Sequence, residues 1–172
     1  YRGRVEKLAT QVGDGCELIC VLIPSSMTTY PELVPDIYQK ATGKTKFDQT
    51  KEALEAAGVT VIDMRDTFTA HKNDALPLYY RQDSHWADYG AYLAYVDLFD
   101  YISDRYPDAA PRKFNAFEWE WKYYTGGDMA YYFGVDEVEG GTCYEYTYQR
   151  FMNFEVPQAM SGIKRYKRQN SM

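Results

Sequence analysis

The stretch that most constrains this chain is residues 17–23, Glu-Leu-Ile-Cys-Val-Leu-Ile, a nearly unbroken apolar run that Pro24 stops. A run this short and rich in β-favouring residues reads as a strand buried on both faces, since a half-exposed strand would alternate polar with apolar positions. Residues 59–62, Val-Thr-Val-Ile, read the same way. Between them Phe47, Ala53, Leu54 and Ala57 fall at helical spacings, and Gly58 follows as a C-terminal cap, which predicts a helix over 47–57. Strand, helix and strand in that order make a βαβ unit with parallel pairing, so the expected fold class is α/β. The 172 residues fit one domain with one core.

Beyond the second strand, 66–71 reads as a short helical or loop excursion before the aromatic Leu78-Tyr79-Tyr80. From Asp88 to Tyr106, Ala91, Ala94, Tyr95, Leu98 and Ile102 recur every three or four residues and Pro107 ends the pattern, which predicts the clearest helix of the chain. Residues 114–133 are dense in aromatics and include Gly126-Gly127. Residues 134–160 alternate only weakly, around Cys143-Tyr144-Glu145-Tyr146-Thr147-Tyr148. Irregular structure with one edge strand is expected there. The basic stretch Lys164-Arg165-Tyr166-Lys167-Arg168 ends abruptly, as though before a further element.

Charge and composition narrow the function classes. Nineteen Lys and Arg against 25 Asp and Glu give a net charge of -6, which disfavours a broad phosphate-neutralising face and hence nucleic acid. A neutral, sugar-like partner suits the balance better, and 18 Tyr supply ring faces for one. No apolar run is long enough for a spanning helix. The chain opens on Tyr1 with polar and charged residues, so no signal peptide is read within it and it looks like a mature or excised fragment. Cys16, Cys20 and Cys143 form no Cys-x-x-Cys pair, which argues against a disulfide framework, and Cys20 is expected to be a buried free thiol. With only His71 and His85 as imidazoles, a closed structural zinc site has no ligand spacing to build on.

The tetrapeptide Asp83-Ser84-His85-Trp86 carries the most chemistry. In extended backbone, residues two apart point the same way, so the Asp83 carboxylate can meet the His85 imidazole while Ser84 turns aside. A carboxylate on Nδ1 fixes the tautomer, stabilises imidazolium and leaves Nε2 to take a proton from a hydroxyl nucleophile. Taken alone, the pattern equally describes a His that happens to bond a nearby Asp. Asp83, His85 and Asp88 could instead ligate a divalent metal, although Asp88 more naturally opens the following helix. Ser25 and Ser26 follow the first strand at the sheet edge where α/β folds gather ligands, but a Ser-Ser pair after Pro24 is more often turn chemistry. Arg81 can pair with a carboxylate or a polar substrate, or make an ordinary surface ion pair. Trp119, Trp121, Tyr123 and Tyr124 could face a sugar ring or form the buried face of an edge strand. His71 has no partner in sequence and reads as structural or exposed.

The block Leu78-Tyr79-Tyr80-Arg81-Gln82-Asp83-Ser84-His85-Trp86, followed by Gly90-Ala91-Tyr92-Leu93-Ala94-Tyr95, resembles the SGNH-hydrolase-like domain of the alginate O-acetyltransferases AlgX and AlgJ and of the bacterial DHHW proteins. Upstream, Leu22-Ile23-Pro24-Ser25-Ser26 and Tyr30-Pro31-Glu32 are similar to the family's Val-Pro-Ser-Lys and Tyr-Pro-Glu segments. Downstream, Gly126-Gly127-Asp128-Met129-Ala130 with Phe133-Gly134 looks like its Gly-Asp-Leu-Ala segment.

The resemblance implies a parallel-sheet, flavodoxin-like or SGNH-hydrolase-like three-layer domain spanning residues 1–172, incomplete at its C-terminus. It implies a Ser-His-Asp mechanism with Asp83 orienting and His85 as general base. The nucleophilic Ser follows both in the family, and between Gly134 and Met172 only Gly141-Thr142-Cys143-Tyr144 looks similar, so the Ser is expected beyond Met172. Candidate substrate-binding residues are Ser25, Ser26, Tyr30, Arg81 and Trp86. The implied activity is acetyl transfer to, or acetyl-ester hydrolysis of, a bacterial cell-surface or exopolysaccharide, without a cofactor or metal. The implied setting is periplasmic, extracellular or at the cell surface, and the acetyl donor stays open. A domain of the same fold that binds carbohydrate or acts as a scaffold, without a working nucleophile, is the alternative.

Overall fold

The computed structural model describes residues 2–12, 15–38, 42–80, 83–124, 127–134 and 144–150. A helix that the apolar pattern did not announce, α1 (Arg2–Val12), precedes the first strand, β1 (Ile19–Leu22). The short α2 (Ser26–Thr29) and a 3-10 turn over Pro31–Leu33 follow, then α3 (Lys46–Ala56) and β2 (Thr60–Asp63). The βαβ unit is present: β1 and β2 pair in parallel, Ile19 opposite Thr60 and Leu22 opposite Asp63. The expectation that both strands are fully buried needs correction, because every residue of each is only half-buried. Among the described residues the two strands pair only with each other, so their outer edges carry no further strand.

Helix α3 starts where its chemistry says it should. The Thr45 hydroxyl accepts the Asp48 N–H at 3.2 Å while the Asp48 carboxylate accepts the Thr45 N–H at 3.0 Å, a reciprocal capping box. It ends at Gly58, whose φ of 78° lies in the left-handed region that a side chain would disfavour. At the carboxyl end of β2, Asp63 accepts from Lys51 Nζ at 3.0 Å and from Arg65 Nη2 at 2.6 Å, and Arg65 also reaches Asp48 at 2.7 Å. Burial works to raise the Asp63 carboxyl pKa, but these two cations override it and hold the group well below the usual carboxylate range.

The excursion after β2 is helical, α4 (Arg65–His71), and the helix read over 88–106 is α5 (Asp88–Ser103). Their meeting forms the core: Met64, Phe68 and Leu78 are fully enclosed, joined by Tyr89, Leu93 and Ala94, with Val21, Ile23 and Ile62 packed against them from the strand side. Gly90 is required here, since a Cβ on it would stand 2.8 Å from the Leu78 carbonyl oxygen and 3.2 Å from the Phe68 ring. The aromatic third contains two strands rather than one: β3 (Glu118–Tyr124) pairs antiparallel with β4 (Tyr144–Arg150), and α6 (Asp128–Tyr132) lies between them in sequence. Cys143 and the basic stretch at 164–168 fall outside the described residues. Cys16 is exposed and Cys20 half-buried, with burial raising its thiol pKa. No helix among the described residues is long and apolar enough to cross a membrane.

Candidate active site

The segment joining α4 to α5 folds back on itself. Leu78 and Ala87 close its base, the Ala87 N–H donating to the Leu78 carbonyl at 2.8 Å; Tyr79 and Trp86 form an antiparallel bridge above it; and the Tyr80 N–H reaches the His85 carbonyl at 3.3 Å. Leu78 and Ala87 are buried, so the stem is anchored in the core, while Ser84 and His85 at its far end are exposed and Asp83 is half-buried. Arg81 lies outside the described residues. Trp86 packs against the core cluster.

The backbone through Asp83, Ser84 and His85 bends rather than running extended. Its geometry comes from the Asp83 carboxylate, whose Oδ1 accepts the backbone N–H of His85 at 2.9 Å, the local turn that Asp makes two residues on. The same Oδ1 meets Nδ1 of the His85 ring. The acid is the enclosed member, its side chain 20% exposed, and the imidazole is 67% exposed, with Nε2 pointing to no partner among the described residues. The Asp83 hydrogen bond and charge, with a smaller contribution from Asp128, raise the His85 pKa above its ordinary value.

Asp128, the first residue of α6, is the neighbour that candidate-residue reasoning missed. Its Oδ1 accepts the Ser84 N–H at 2.6 Å and its Oδ2 accepts the Ser84 hydroxyl. Its own N–H donates to Asp83 Oδ2 at 3.3 Å, and its Oδ2 lies 3.7 Å from His85 Nδ1. Hydrogen bonds from Ser84 lower the Asp128 pKa. Ser84 does turn away from the pair, but toward a carboxylate. The only signal for Asp128 in the sequence was its place in Gly126-Gly127-Asp128-Met129-Ala130. Asp88 does not join the cluster: it is a half-buried helix-opening carboxyl whose pKa burial raises, partly offset by a Tyr80 hydrogen bond. The third group beside Asp83 and His85 is therefore the carboxylate of Asp128, these groups lying within 4.8 Å of one another.

The other candidates sit on the neighbouring edge. Ser25 caps α2, accepting the Thr28 N–H at 3.3 Å and meeting the Thr28 hydroxyl at 3.0 Å; Ser26 is the first residue of that helix. Among the described residues neither serine bonds to His85. The Tyr30 hydroxyl donates to the Lys72 carbonyl at 3.1 Å, and its ring meets Tyr79 edge-on. Tyr79 in turn donates to the Pro24 carbonyl at 2.7 Å, tying the loop after β1 to the stem that carries Asp83 and His85. His71 has a partner after all, Asp74 at 2.8 Å.

Comparison with known proteins agrees with this architecture. Over residues 4–165 the chain matches the family described as the SGNH hydrolase-like domain of acetyltransferase AlgX. It superposes on the O-acetyltransferase domain of Pseudomonas putida AlgJ with a TM-score of 0.60 at 18% identity, covering 87% of this chain and 52% of that one. On a DHHW family protein from Eubacterium siraeum the TM-score is 0.64 at 18% identity, covering 87% and 46%. The chain thus spans about half the length of these structures. A search of curated proteins gives no significant match. With the parallel βαβ unit and the matched span taken together, the chain belongs to the SGNH hydrolase-like, AlgX-type acetyltransferase domain family.

Proposed function

We propose that this domain handles acetyl esters by nucleophilic catalysis, with His85 as general base and Asp83 as its orienting acid. One observation carries the reading: the half-buried Asp83 carboxylate engages Nδ1 of the exposed His85 ring, whose Nε2 makes no bond among the described residues, the division of labour an Asp-His pair needs to deprotonate a hydroxyl. The nucleophile is a Ser of the full-length protein beyond Met172. Two observations support that position: the Ser25 hydroxyl is engaged in capping α2, and the solved neighbours are about twice the length matched here.

The Ser attacks the acetyl carbonyl, its proton passing to His85 Nε2, and the ester oxygen of the donor leaves with that proton. The acyl-enzyme then delivers acetyl to an acceptor hydroxyl that His85 deprotonates. A polysaccharide hydroxyl as acceptor makes the protein an O-acetyltransferase, and water makes it an acetylesterase. The transferase reading is favoured because the matched family is named for an acetyltransferase and the AlgJ neighbour is an O-acetyltransferase domain. A glycan of the bacterial cell envelope or an exopolysaccharide is the proposed acceptor, in a periplasmic, extracellular or cell-surface setting.

The test is fluorophosphonate labelling of the full-length protein followed by peptide mass spectrometry, with His85→Ala as control and 4-nitrophenyl acetate turnover measured alongside. The expected result is one labelled Ser, loss of labelling and turnover in His85→Ala, and no effect of a chelator. Turnover without His85 overturns the reading. A folded protein that neither labels nor turns over ester favours the carbohydrate-binding or scaffold domain.

A further inference from the structure

Asp83 and His85 sit near the end of a loop whose stem is fixed in the core, and among the described residues the stem's last contact with that end is the Tyr80 N–H on the His85 carbonyl, which leaves both side chains to be held by other groups. A general base works only when its ring nitrogen is held at the reacting proton, and a displacement of about 1 Å can cost roughly a hundred-fold in rate. The tip therefore needs a second anchor. The group in contact with it is Asp128, which comes from a different element, 44 residues beyond Ser84 in the chain.

We infer that Asp128 is a positioning residue for the Asp83–His85 pair, clamping the loop through both the backbone N–H and the hydroxyl of Ser84 while its own N–H holds Oδ2 of Asp83. The inference rests on the reading of Asp83 and His85 as orienting acid and base. The clamp has two arms on one residue. The Ser84 N–H meets Asp128 Oδ1 at 2.6 Å and the Ser84 hydroxyl meets Oδ2, so the carboxylate grips Ser84 in bidentate fashion. The third link, from the Asp128 N–H to Asp83 Oδ2 at 3.3 Å, falls on the carboxylate oxygen that His85 does not use. Asp83 is thereby held at both oxygens: Oδ1 by the N–H and ring of His85, Oδ2 by the first turn of α6.

This arrangement assigns Ser84 a task as well. Lying between the acid and the base, it is the handle by which α6 holds the loop, and its hydroxyl is committed to Asp128 instead of serving as a nucleophile. The Asp128 carboxylate also stands 3.7 Å from His85 Nδ1, so it adds negative charge beside the imidazolium that forms during proton transfer.

Position and charge separate experimentally. In Asp128→Asn the amide oxygen still accepts the Ser84 N–H and the amide nitrogen can donate to the Ser84 hydroxyl, so the clamp survives without the charge. Asp128→Ala removes the charge and both arms on Ser84, leaving only the backbone N–H on Asp83. In the full-length protein, ester turnover should fall roughly ten- to a hundred-fold in Asp128→Ala through kcat with KM nearly unchanged. Asp128→Asn should recover most of that loss, and Ser84→Ala, which keeps the N–H arm at an exposed position, should lose only a few-fold. The ring-nitrogen signals of His85, assigned in NMR spectra by their loss in His85→Ala, should show a mixed tautomer in Asp128→Ala and the wild-type tautomer in Asp128→Asn.

Wild-type kcat in Asp128→Ala overturns the inference, as does an Asp128→Asn enzyme as slow as Asp128→Ala, which would make the charge the whole effect. If Asp128→Ala fails to fold, Asp128→Asn and Ser84→Ala still decide: a folded Asp128→Asn enzyme slowed roughly a hundred-fold, or a Ser84→Ala enzyme with wild-type kcat, which would leave the hydroxyl arm without effect, overturns the clamp as drawn. The dyad reading fails separately: it falls if His85→Ala keeps its turnover, whatever the Asp128 variants do.

Discussion

The molecule contains two histidines, and each presents Nδ1 to an aspartate close by in sequence: His85 to Asp83 and His71 to Asp74. The pairs are built alike and placed differently. His71 ends α4, and the oxygen of Asp74 that it touches also accepts the hydroxyl of the buried Tyr89 at 2.5 Å, so this pair fastens the end of α4 to the first turn of α5. Its two side chains are about equally exposed, 40% and 42%. In the other pair the acid is enclosed, the imidazole stands out, and a second carboxylate is at hand. The lesson is that an Asp-His contact becomes an acid-base device only where the acid is shielded and the far ring nitrogen is open; where the acid also serves the core, the contact is a fastening.

Removing the rings one at a time tests that distinction at its largest. His85→Ala should lower acetyl-ester turnover of the full-length protein by roughly 10⁴-fold, the scale on which triad members act, with the folded fraction unchanged. His71→Ala should leave turnover within about two-fold, since an exposed pair contributes little beyond its local contact. Equal losses in the two variants would dissolve the comparison. The acids follow at one step less: Asp83→Asn should lower turnover by roughly 10²- to 10⁴-fold, because an amide at Oδ1 no longer holds the catalytic tautomer. Asp74→Ala should leave turnover intact and lower the melting temperature by a few degrees, on the order expected when a buried hydroxyl loses a charged acceptor.

A smaller effect probes the ground on which both pairs stand. Gly90→Ala places a methyl group against the Leu78 carbonyl, which is backbone and already accepts the Ala87 N–H that closes the loop stem. Alanine would otherwise favour the helix by about 1 kcal/mol over glycine, yet the overlap should win and destabilise the fold by about 1–3 kcal/mol. Denaturant unfolding measures the loss, and a stability equal to or above wild type would show that α5 does not need the close approach.

How much of this was legible follows from how far each contact reaches along the chain. The βαβ unit could be read because the short, β-favouring and mostly apolar runs at 17–23 and 59–62 are local signals, and the Asp83–His85 contact because a carboxylate two residues from an imidazole needs only a local turn. The backbone there bends instead of extending, but the turn made by Asp83 brings the same two groups together. Asp74 was missed although it lies three residues from His71, since their meeting depends on where α4 ends. Asp128 was missed as a partner because the pairing joins elements about a quarter of the chain apart, and no spacing rule reports that. The β3–β4 pair has the same difficulty: the alternation at 118–124 suits an edge strand, and only the fold supplies its mate at 144–150. Helix α1 had a weak signal in Val5, Leu8 and Val12.

The finest test uses pH, where the two pairs should behave with opposite sign. The His85 pKa is raised in the folded protein by Asp83, so the pair's contribution to stability is fully present below the ordinary value of 6.5 and is lost as pH rises through the folded value. The Asp74 carboxyl is held low in the folded protein, first by the Tyr89 hydroxyl and then by His71, so its contribution is present above its ordinary 3.8 and is lost as pH falls through the folded value. Melting temperatures of wild type and His85→Ala should therefore converge toward alkaline pH, and those of wild type and Asp74→Ala toward acid. Both differences should be small, since these side chains are largely open to solvent and screened by salt. Turnover gives the sharper reading, because only the neutral ring accepts a proton: the acid limb of kcat/KM should lie above 6.5 and move to lower pH in Asp83→Asn, while Asp74→Ala leaves it in place. A limb that follows Asp74 instead of Asp83 would exchange the roles of the two histidines.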